Sequence, residues 1–277
     1  MNTIFISLFL NALNLCLKYF FGKKKYQPLF EGMLKMALKG MNIGSGQNFN
    51  TSGEFAALKY VKNKIKIDEN TIIFDVGAHT GNYTILLAEI FGELPLIYSF
   101  EPSNITFKKL KTNTKHIYNI ALHNIGFGED NKKIIMYSNK PESGLASVFK
   151  RRLDHFRKEM NIEEEIVVKK IDSFCMENDI KQINFLKLDV EGNEYNALKG
   201  AINLIKNHKL QFIQFEFGGT NIDSKIFFQD FFYLLQNDYT IYRILNDGLQ
   251  KIENYSELNE IFITTNYLAE IKNGIVI

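Results

Sequence analysis

The segment from residue 71 to residue 91 constrains the fold of this chain most strongly. An apolar run, Thr71-Ile72-Ile73-Phe74, leads through Asp75-Val76-Gly77 to Gly81 and then into a helical pattern over 82–91. A buried strand, a glycine-containing turn and a helix are therefore predicted in succession. Because further β-rich runs alternate with helical patterns after residue 26, the chain is predicted to form a parallel sheet wound with helices.

The predicted elements follow one another without repeats or linkers. Strands are predicted at 71–74, 96–100, 120–125, 133–137, 165–171, 183–188, 211–215, 239–245 and 260–264, and helices at 82–91, 103–115, 173–178, 194–206 and 226–236. Residues 1–49 are predicted to be an N-terminal helical extension, and residues 50–277 to be a single α/β domain. The elaboration on the substrate side is expected at 138–165. Its alternating charge blocks from Lys150 to Glu165 favour an exposed helix face, and a lid over the acceptor is the alternative.

The composition is that of an ordinary globular protein, with 45% hydrophobic and 23% charged residues in a chain of 277. A formal net charge of +2 is too near neutrality to indicate a nucleic-acid partner, so none is expected. The two cysteines, Cys16 and Cys175, lack the clustered spacing of a zinc site. We therefore predict inert thiols in a reducing, cytoplasmic compartment, and these cysteines indicate no resident metal.

The N-terminus is apolar from Ile4 to Phe21 and is followed by three lysines at 23–25. Its polar residues Ser7, Asn11, Asn14 and Lys18 fall on one stripe of a helix. Three interpretations are open: a helix packed on its own domain or in a homo-oligomer contact, a helix lying in the interface of the inner membrane face, or a membrane span. A secretory signal is not expected, because no positively charged segment precedes the apolar run.

The glycine turn indicates a nucleoside site. Gly77 and Gly81 allow a tight strand-to-helix turn against which a ligand can rest, and Glu101 stands at the end of the next strand, where it can accept ribose hydroxyls. A carboxylate at Asp75 would repel a pyrophosphate but suits the ammonium of a methionyl group. S-adenosylmethionine is therefore predicted in preference to NAD.

Three motifs together resemble those of the FkbM family of S-adenosylmethionine-dependent methyltransferases. They are Asp75-Val-Gly-Ala-His-Thr-Gly-Asn-Tyr, Phe100-Glu-Pro, and Leu186-Lys-Leu-Asp-Val-Glu-Gly-Asn-Glu-Tyr with the Leu198-Lys-Gly-Ala that follows. The resemblance covers residues 40–265, approximately. It implies a class I methyltransferase fold: a Rossmann-like, doubly wound, mostly parallel seven-stranded sheet in the order 3-2-1-4-5-7-6. It also implies methyl transfer to oxygen, often on sugars or polyketide-type natural products.

The resemblance further implies which residues hold the cofactor. The glycine turn would take the methionyl end, Glu101 the ribose, and the segment 124–127 the adenine. The implied set is Asp75, Gly77, Ala78, Gly81, Glu101, Asn124 and Gly126. His79 is expected to form hydrogen bonds within the turn.

The acceptor site is expected where Asp189 and Glu216 follow the predicted strands 183–188 and 211–215, with Glu191 two residues after Asp189. Asp189 and Glu216 are the predicted catalytic residues. One carboxylate could remove the hydroxyl proton of the acceptor, or two could hold a divalent ion, and the sequence leaves both open. His123 and His155 are further candidates for the base.

The sequence thus predicts an O-methyltransferase of the FkbM type, with the acceptor class resting on the resemblance alone. The expected acceptor is a sugar hydroxyl of a surface polysaccharide or its precursor. The alternatives are an NAD-dependent sugar-modifying oxidoreductase and a non-catalytic scaffold at the membrane periphery.

Overall fold

The computed structural model describes residues 3–45 and 49–272, and the chain divides into two compact units, Met1–Ile43 and Gly44–Ile277. The first unit contains two helices, α1 (Thr3–Leu17) and α2 (Gln27–Gly40), with short 3-10 turns between them. Pro28 stands in the first turn of α2, where its missing N–H costs no helical hydrogen bond. Among the helices of the described residues, none has the length and apolar content needed to cross a membrane.

The second unit is built from alternating helices and strands. In chain order they are α3 (Phe49–Ser52), α4 (Glu54–Lys64), β1 (Ile72–Val76), α5 (Asn82–Phe91), β2 (Leu96–Phe100), α6 (Asn104–Asn113), β3 (Ile120–His123), β4 (Gly126–Phe127), β5 (Lys132–Ser138), β6 (Ile162–Lys169), α7 (Ile171–Glu177), β7 (Ile183–Leu188), α8 (Glu194–Lys199), α9 (Ile202–Lys206), β8 (Leu210–Phe217), α10 (Thr220–Ser224), α11 (Phe228–Leu235), β9 (Tyr239–Leu245), β10 (Gly248–Lys251) and β11 (Thr265–Ile271).

The main sheet has eight strands in the order β3-β2-β1-β7-β8-β11-β9-β10. The five strands from β3 to β8 pair in parallel, while β11 is antiparallel to both β8 and β9. Without β10, this is the strand order that the resemblance implied, and the predicted α/β fold class is confirmed. The additional strand β10 pairs with β9 through the hairpin at Asn246-Asp247.

A second, three-stranded sheet, β4-β6-β5, flanks the segment 138–165 where a substrate-side elaboration was expected, with β4 and β5 before it and β6 at its end. The segment between β5 and β6 is mostly irregular, with a 3-10 turn at Asp154–Phe156. The expectation of an exposed helix face across 150–165 is therefore wrong. Residues 162–169 instead form the strand β6, in which Glu163 and Glu165 are exposed, and the basic residues at 150–158 precede it.

The sheet has an apolar layer on each of its faces. On one face, Phe74, Phe100, Phe127 and Phe174 pack together in a cluster of ring contacts. On the other face, α4 and α5 cover the alternate residues of the same strands. Burial of each such side chain contributes about 1.5–3 kcal/mol, so these layers account for much of the hydrophobic stabilisation.

The predicted strand at 260–264 is wrong, because β11 begins only at Thr265. The Glu260 carboxylate instead accepts the Phe228 and Gln229 amides, both at 2.8 Å, at the start of α11. The Phe262 ring packs on Phe217 with centroids 5.2 Å apart. Residues 260–264 thus serve helix capping and packing, whereas a sequence pattern of β-branched and aromatic residues predicts pairing.

Candidate active site

The glycine turn between β1 and α5 lies at the carboxyl end of the parallel strands. The amides of Gly77 and Ala78 both donate to the Phe100 carbonyl at the end of β2, at 3.0 and 2.9 Å. Gly77 has φ +82°, and a Cβ there would lie 1.8 Å from the Asp189 carbonyl oxygen. Only glycine therefore allows the turn to lie against the residue that follows β7.

Gly81 begins α5 with φ +94°, and a Cβ there would lie 2.8 Å from Thr114 and 2.9 Å from Leu110. Both glycines are thus required by contacts within the protein. The prediction that their main chain also faces a cofactor is compatible with this geometry and stays a prediction.

A row of buried polar side chains crosses the centre of the sheet on the face covered by α4 and α5. Ser99 of β2, Asp75 of β1, Lys187 of β7 and Gln214 of β8 are neighbours in the strand register. Each of the four is at most 4% exposed. We call these four residues the polar row.

Lys187 is the cation of the polar row. Its ammonium lies 3.6 Å from Asp75 Oδ1 and 3.2 Å from Asp189 Oδ2, and 4.4 Å from the centroid of the Tyr83 ring. Burial alone would lower the pKa of Lys187, but Asp189, Asp75 and Glu54 raise it overall, so the ammonium stays charged. The lysine thus links the buried carboxylate of β1 to the carboxylate at the edge of the sheet.

Helices α4 and α5 supply the remaining partners of the polar row. Thr84 donates to Asp75 Oδ2 at 2.7 Å, and Tyr83 donates to Gln214 Oε1 at 2.8 Å. Gln214 Nε2 in turn donates to Glu54 Oε1 at 2.9 Å. Burial raises the pKa of Glu54, and the Lys187 charge opposes that rise. These contacts satisfy polar groups that would be costly to bury alone.

The position of Asp75 differs from the expected one. Its side chain has no exposed surface, and it points to α5 and Lys187 within the sheet layer. Burial raises the pKa of Asp75, while Lys187 and Thr84 counter the effect. The sequence argument placed this carboxylate at the mouth of the turn, but alternation along β1 directs it to the same face as Ile73.

Glu101 lies directly after β2, beside the glycine turn. Its carboxylate accepts the His79 amide at 3.0 Å and the Ser103 amide at 2.9 Å. Burial raises the pKa of Glu101 to about 7, although the two amides favour the charged form. The carboxylate is thus fixed in place, and each of its oxygens retains a lone pair for a further donor.

The two residues predicted near the adenine lie on the same side of the site as Glu101. Asn124 Nδ2 donates to the carbonyls of Glu101 and Pro102, both at 2.9 Å. Gly126 begins β4, and a Cβ there would lie 3.5 Å from the Pro102 side chain. The structure therefore brings Asn124, Gly126 and Glu101 together around the end of β2.

The predicted acceptor residues follow β7 and end β8. Asp189 has a side chain that is 40% exposed, and its amide donates to the Val76 carbonyl at 3.1 Å. Glu216 is half-buried in β8, and its carboxylate has no hydrogen bond or ion pair within residues 3–45 and 49–272. Burial, together with the charges of Asp189 and Glu191, raises the pKa of Glu216 well above its usual range. The structure thus brings these carboxylates close enough to interact.

Arg151 lies in the irregular segment between β5 and β6, and it pairs with Glu191. Its Nη1 is 2.6 Å from Glu191 Oε2, and its side chain is only 7% exposed. Ser147 Oγ donates to the Glu191 carbonyl at 2.7 Å, and Arg151 Nε is 3.8 Å from Asp223 Oδ2. Burial and the Asp189 charge raise the pKa of Glu191 to about 8, which Arg151 opposes. The segment therefore lies against the residues that follow β7.

His79 and the two histidine candidates have different surroundings. His79, at φ 50°, lies in the turn as expected, and its Nε2 is 3.2 Å from the Glu142 carbonyl oxygen. The His123 ring packs on Phe100 and Phe174, and burial lowers its pKa. His155 stacks on Phe156 in the 3-10 turn. In the described part of the chain, no group of three or more metal-ligating side chains is assembled.

Sequence reasoning assigned no role to Lys187 or Gln214, it expected 52–54 only to close one side of the active site, and it did not foresee that Arg151 is buried. One signal was available for Lys187 and Gln214, since both interrupt apolar strands with a polar side chain. A charge in a buried strand requires a partner. Glu54 precedes the first strand by many residues, so only the folded chain shows that it reaches Gln214.

Residues 75–241, more than half of the chain, match the family described as the Methyltransferase FkbM domain. The chain belongs to the FkbM methyltransferase family. The family predicted from the three motifs is thereby confirmed, and with it a methyltransferase domain whose cofactor is S-adenosylmethionine.

Known relatives are distant. Methyltransferase 1 of Beauveria bassiana (strain ARSEF 2860) is 22% identical over an alignment of 147 residues, which covers 48% of this chain and 59% of the relative. The chain thus spans less than two thirds of the length of that protein.

Solved structures with a similar architecture include other methyltransferases. An FkbM methyltransferase of Methylobacillus flagellatus KT is 21% identical, with a TM-score of 0.45 over 77% of this chain and 47% of its own. A Streptococcus mutans protein in complex with S-adenosylhomocysteine is 12% identical, with a TM-score of 0.43 over 79% and 98% of the two chains. A SAM-dependent O-methyltransferase of Thermotoga maritima is 11% identical, with a TM-score of 0.37 over 79% and 66%.

Proposed function

We propose that the protein transfers the methyl group of S-adenosylmethionine to a hydroxyl of a sugar, in a surface polysaccharide or its precursor. The observation that carries this proposal is the pair of carboxylates on either side of the glycine turn. Glu101 follows β2 and is held by two amides, whereas Asp189 follows β7 and is partly exposed. A sheet edge of this kind is where open α/β folds bind ligands.

The residues at this edge fit the cofactor by their chemistry. The fixed Glu101 carboxylate is suited to accept the two ribose hydroxyls, and Asn124 and Gly126 border it on the adenine side. The turn residues Gly77, Ala78 and Gly81 would border the methionyl end. When bound, the cofactor supplies an electrophilic methyl group on a sulfonium.

Asp189 and Glu216 have surroundings that suit different tasks. Lys187 lies against Asp189 Oδ2 and stabilises the charged carboxylate, so Asp189 is suited to accept a hydrogen bond from the acceptor hydroxyl and orient it. Glu216, with its raised pKa, is suited to hold the proton that the hydroxyl loses as the new carbon–oxygen bond forms. The carboxylates and Arg151 around them offer the hydrogen-bonding groups that a polyhydroxyl acceptor requires.

The cofactor assignment is tested by Glu101→Ala. Loss of a charged acceptor for ribose hydroxyls should weaken S-adenosylmethionine binding by roughly 10- to 100-fold in isothermal titration calorimetry. Glu253→Ala is the control for loss of a carboxylate, because the Glu253 side chain is 67% exposed and pairs with Lys251 of the edge strand β10. Equal affinity in wild type and Glu101→Ala would contradict the ribose role, and a wild type that binds no S-adenosylmethionine would contradict the proposed function.

The catalytic assignment is tested by Asp189→Asn. The amide keeps the shape but not the charge, so methyl transfer should fall by at least about 100-fold while cofactor affinity stays within about twofold. The assay follows labelled methyl from S-adenosylmethionine into cell-envelope polysaccharide extracted from cells that lack the gene. Asp179→Asn, at a side chain that is 86% exposed, controls for the substitution itself. Full transfer by Asp189→Asn would assign Asp189 a structural role.

A further inference from the structure

Helix α1 presents an apolar surface that its own unit leaves uncovered. Leu15 is 75% exposed, Ile4 68% and Leu8 64%, and the aromatic side chains of Phe5 and Phe9 are also mostly exposed. Apolar side chains occupy every side of this helix except the narrow stripe of small polar residues that includes Asn11. A helix of this composition is stable only where something apolar surrounds it.

Positive charge adjoins the apolar end of this helix. Lys18, Lys23, Lys24 and Lys25 all follow within eight residues of Leu17. The unit Met1–Ile43 contains six lysines and a single acidic residue, Glu31, so its charge differs in sign from the sum over the remaining chain. The basic character of the protein is thus concentrated beside its most apolar helix.

Aromatic rings separate the apolar helix from the lysines. Tyr19 and Phe20 form an edge-to-face pair with centroids 5.6 Å apart, and Phe20 packs on Tyr26 at 4.7 Å. The Lys23 ammonium lies 3.3 Å from the centroid of the Tyr19 ring. Tyrosine and lysine in this order, next to an apolar segment, have the distribution of side chains at the boundary between acyl chains and headgroups.

We propose that residues 4–25 bind the surface of an anionic membrane. Helix α1 inserts its apolar side chains at the level of the upper acyl chains, and the aromatic side chains Tyr19 and Tyr26 lie at the headgroup boundary. Lys18 and the three lysines at 23–25 contact anionic headgroups. Complementary charge selects a lipid surface over a second copy of this chain, because two copies would bring like-charged lysine clusters together.

A flotation assay of the whole chain with two kinds of vesicle tests this proposal. One kind is phosphatidylcholine alone, and the other contains roughly 30% phosphatidylglycerol to mimic an anionic leaflet. Wild type should float with the anionic vesicles, and binding should weaken in high salt. Lys23→Gln/Lys24→Gln/Lys25→Gln should bind about 100-fold more weakly, since each lysine near the surface contributes roughly a factor of five. Phe5→Asn/Leu8→Asn/Phe9→Asn should lose at least as much.

The control removes the same charge elsewhere: Lys108→Gln/Lys111→Gln/Lys115→Gln alters three exposed lysines in and after α6 and should bind like wild type. Thermal unfolding of each variant checks that the second unit stays folded. The proposal is overturned if wild type floats with neither vesicle or if the 23–25 variant binds like wild type. A dimer would also overturn the proposal. In that case, light scattering shows that the wild type is a dimer and that the Phe5/Leu8/Phe9 variant is a monomer, and neither protein binds vesicles. Vesicle binding requires no methyl transfer, so these outcomes are independent of the proposed function.

Discussion

Gly77→Ala should lower the free energy of unfolding of the second unit by roughly 3–5 kcal/mol, measured by urea denaturation. Two physical terms contribute. The backbone at Gly77 has φ +82°, where a side chain costs about 1–2 kcal/mol. In addition, the new Cβ would lie 1.8 Å from the Asp189 carbonyl oxygen, so either the turn or the end of β7 must move.

The matched control is Gly92→Ala. Gly92 also has a positive φ, +83°, but a Cβ there meets no atom within 4 Å. We expect this variant to lose only the conformational part, about 1–2 kcal/mol. Equal destabilisation by the two substitutions would show that the contact of the new Cβ with the Asp189 carbonyl oxygen contributes nothing. In that case, we expect Gly77→Ala to bind the cofactor with wild-type affinity.

Lys187→Met should destabilise the protein by roughly 3–5 kcal/mol at pH 8, because it leaves buried carboxylates without their cation. Asp75 has no exposed surface, and Glu54 is 4% exposed. In the wild type, burial already raises the pKa of both groups, and the Lys187 charge opposes the rise. Without that charge, both pKa values rise further.

The loss of stability in Lys187→Met should increase with pH. A carboxylate whose pKa is raised on folding contributes stability below its unfolded value, and this contribution disappears as the pH rises through the folded pKa. The difference between Lys187→Met and wild type should therefore be largest above neutral pH and should shrink as the pH falls towards 5. Urea denaturation of both proteins across this range measures the effect.

Two controls separate the buried pair from general effects of lysine loss. Lys187→Met/Asp75→Asn removes one unpaired charge and should recover part of the stability. Lys199→Met breaks the surface pair of Lys199 with Glu129, which should cost less than about 1 kcal/mol. If Lys187→Met is as stable as wild type at pH 8, the lysine does not stabilise these carboxylates.

Much of the fold follows from local pattern. The bounds of α5, β2, β7 and β9 agree with the predictions residue for residue, because each element is an apolar run that ends at a glycine, a cap or a turn. Ser103 caps α6 as expected. Predictions were wrong where tertiary contacts determine the local structure. The segment 260–264 is an example, because its Glu260 caps the distant helix α11.

The candidate site was predictable in position more than in detail. That Glu101, Asp189 and Glu216 share one edge follows from parallel pairing, since the ends of β2, β7 and β8 must adjoin. The direction of Asp75 was not foreseen, because the sequence argument considered the turn after β1 and not the alternation of side chains along the strand, which places Asp75 on the face of Lys187. Hairpin strand β10 was missed although Asn246-Asp247-Gly248 is a strong turn signal.

The polar row has a consequence for how the chain finds its fold. Ser99, Asp75, Lys187 and Gln214 are opposite one another only in a single alignment of four parallel strands. A strand that slipped by one residue would turn its polar side chain into the phenylalanine layer on the other face and leave the others unpaired. The other residues of these strands are apolar, so the strands could pair in several registers with similar packing. Sheets with a shifted register would therefore compete with the native sheet during folding. The four residues of the polar row disfavour the shifted registers. A chain with four aliphatic residues in their place would misfold more often, even if its native state were equally stable.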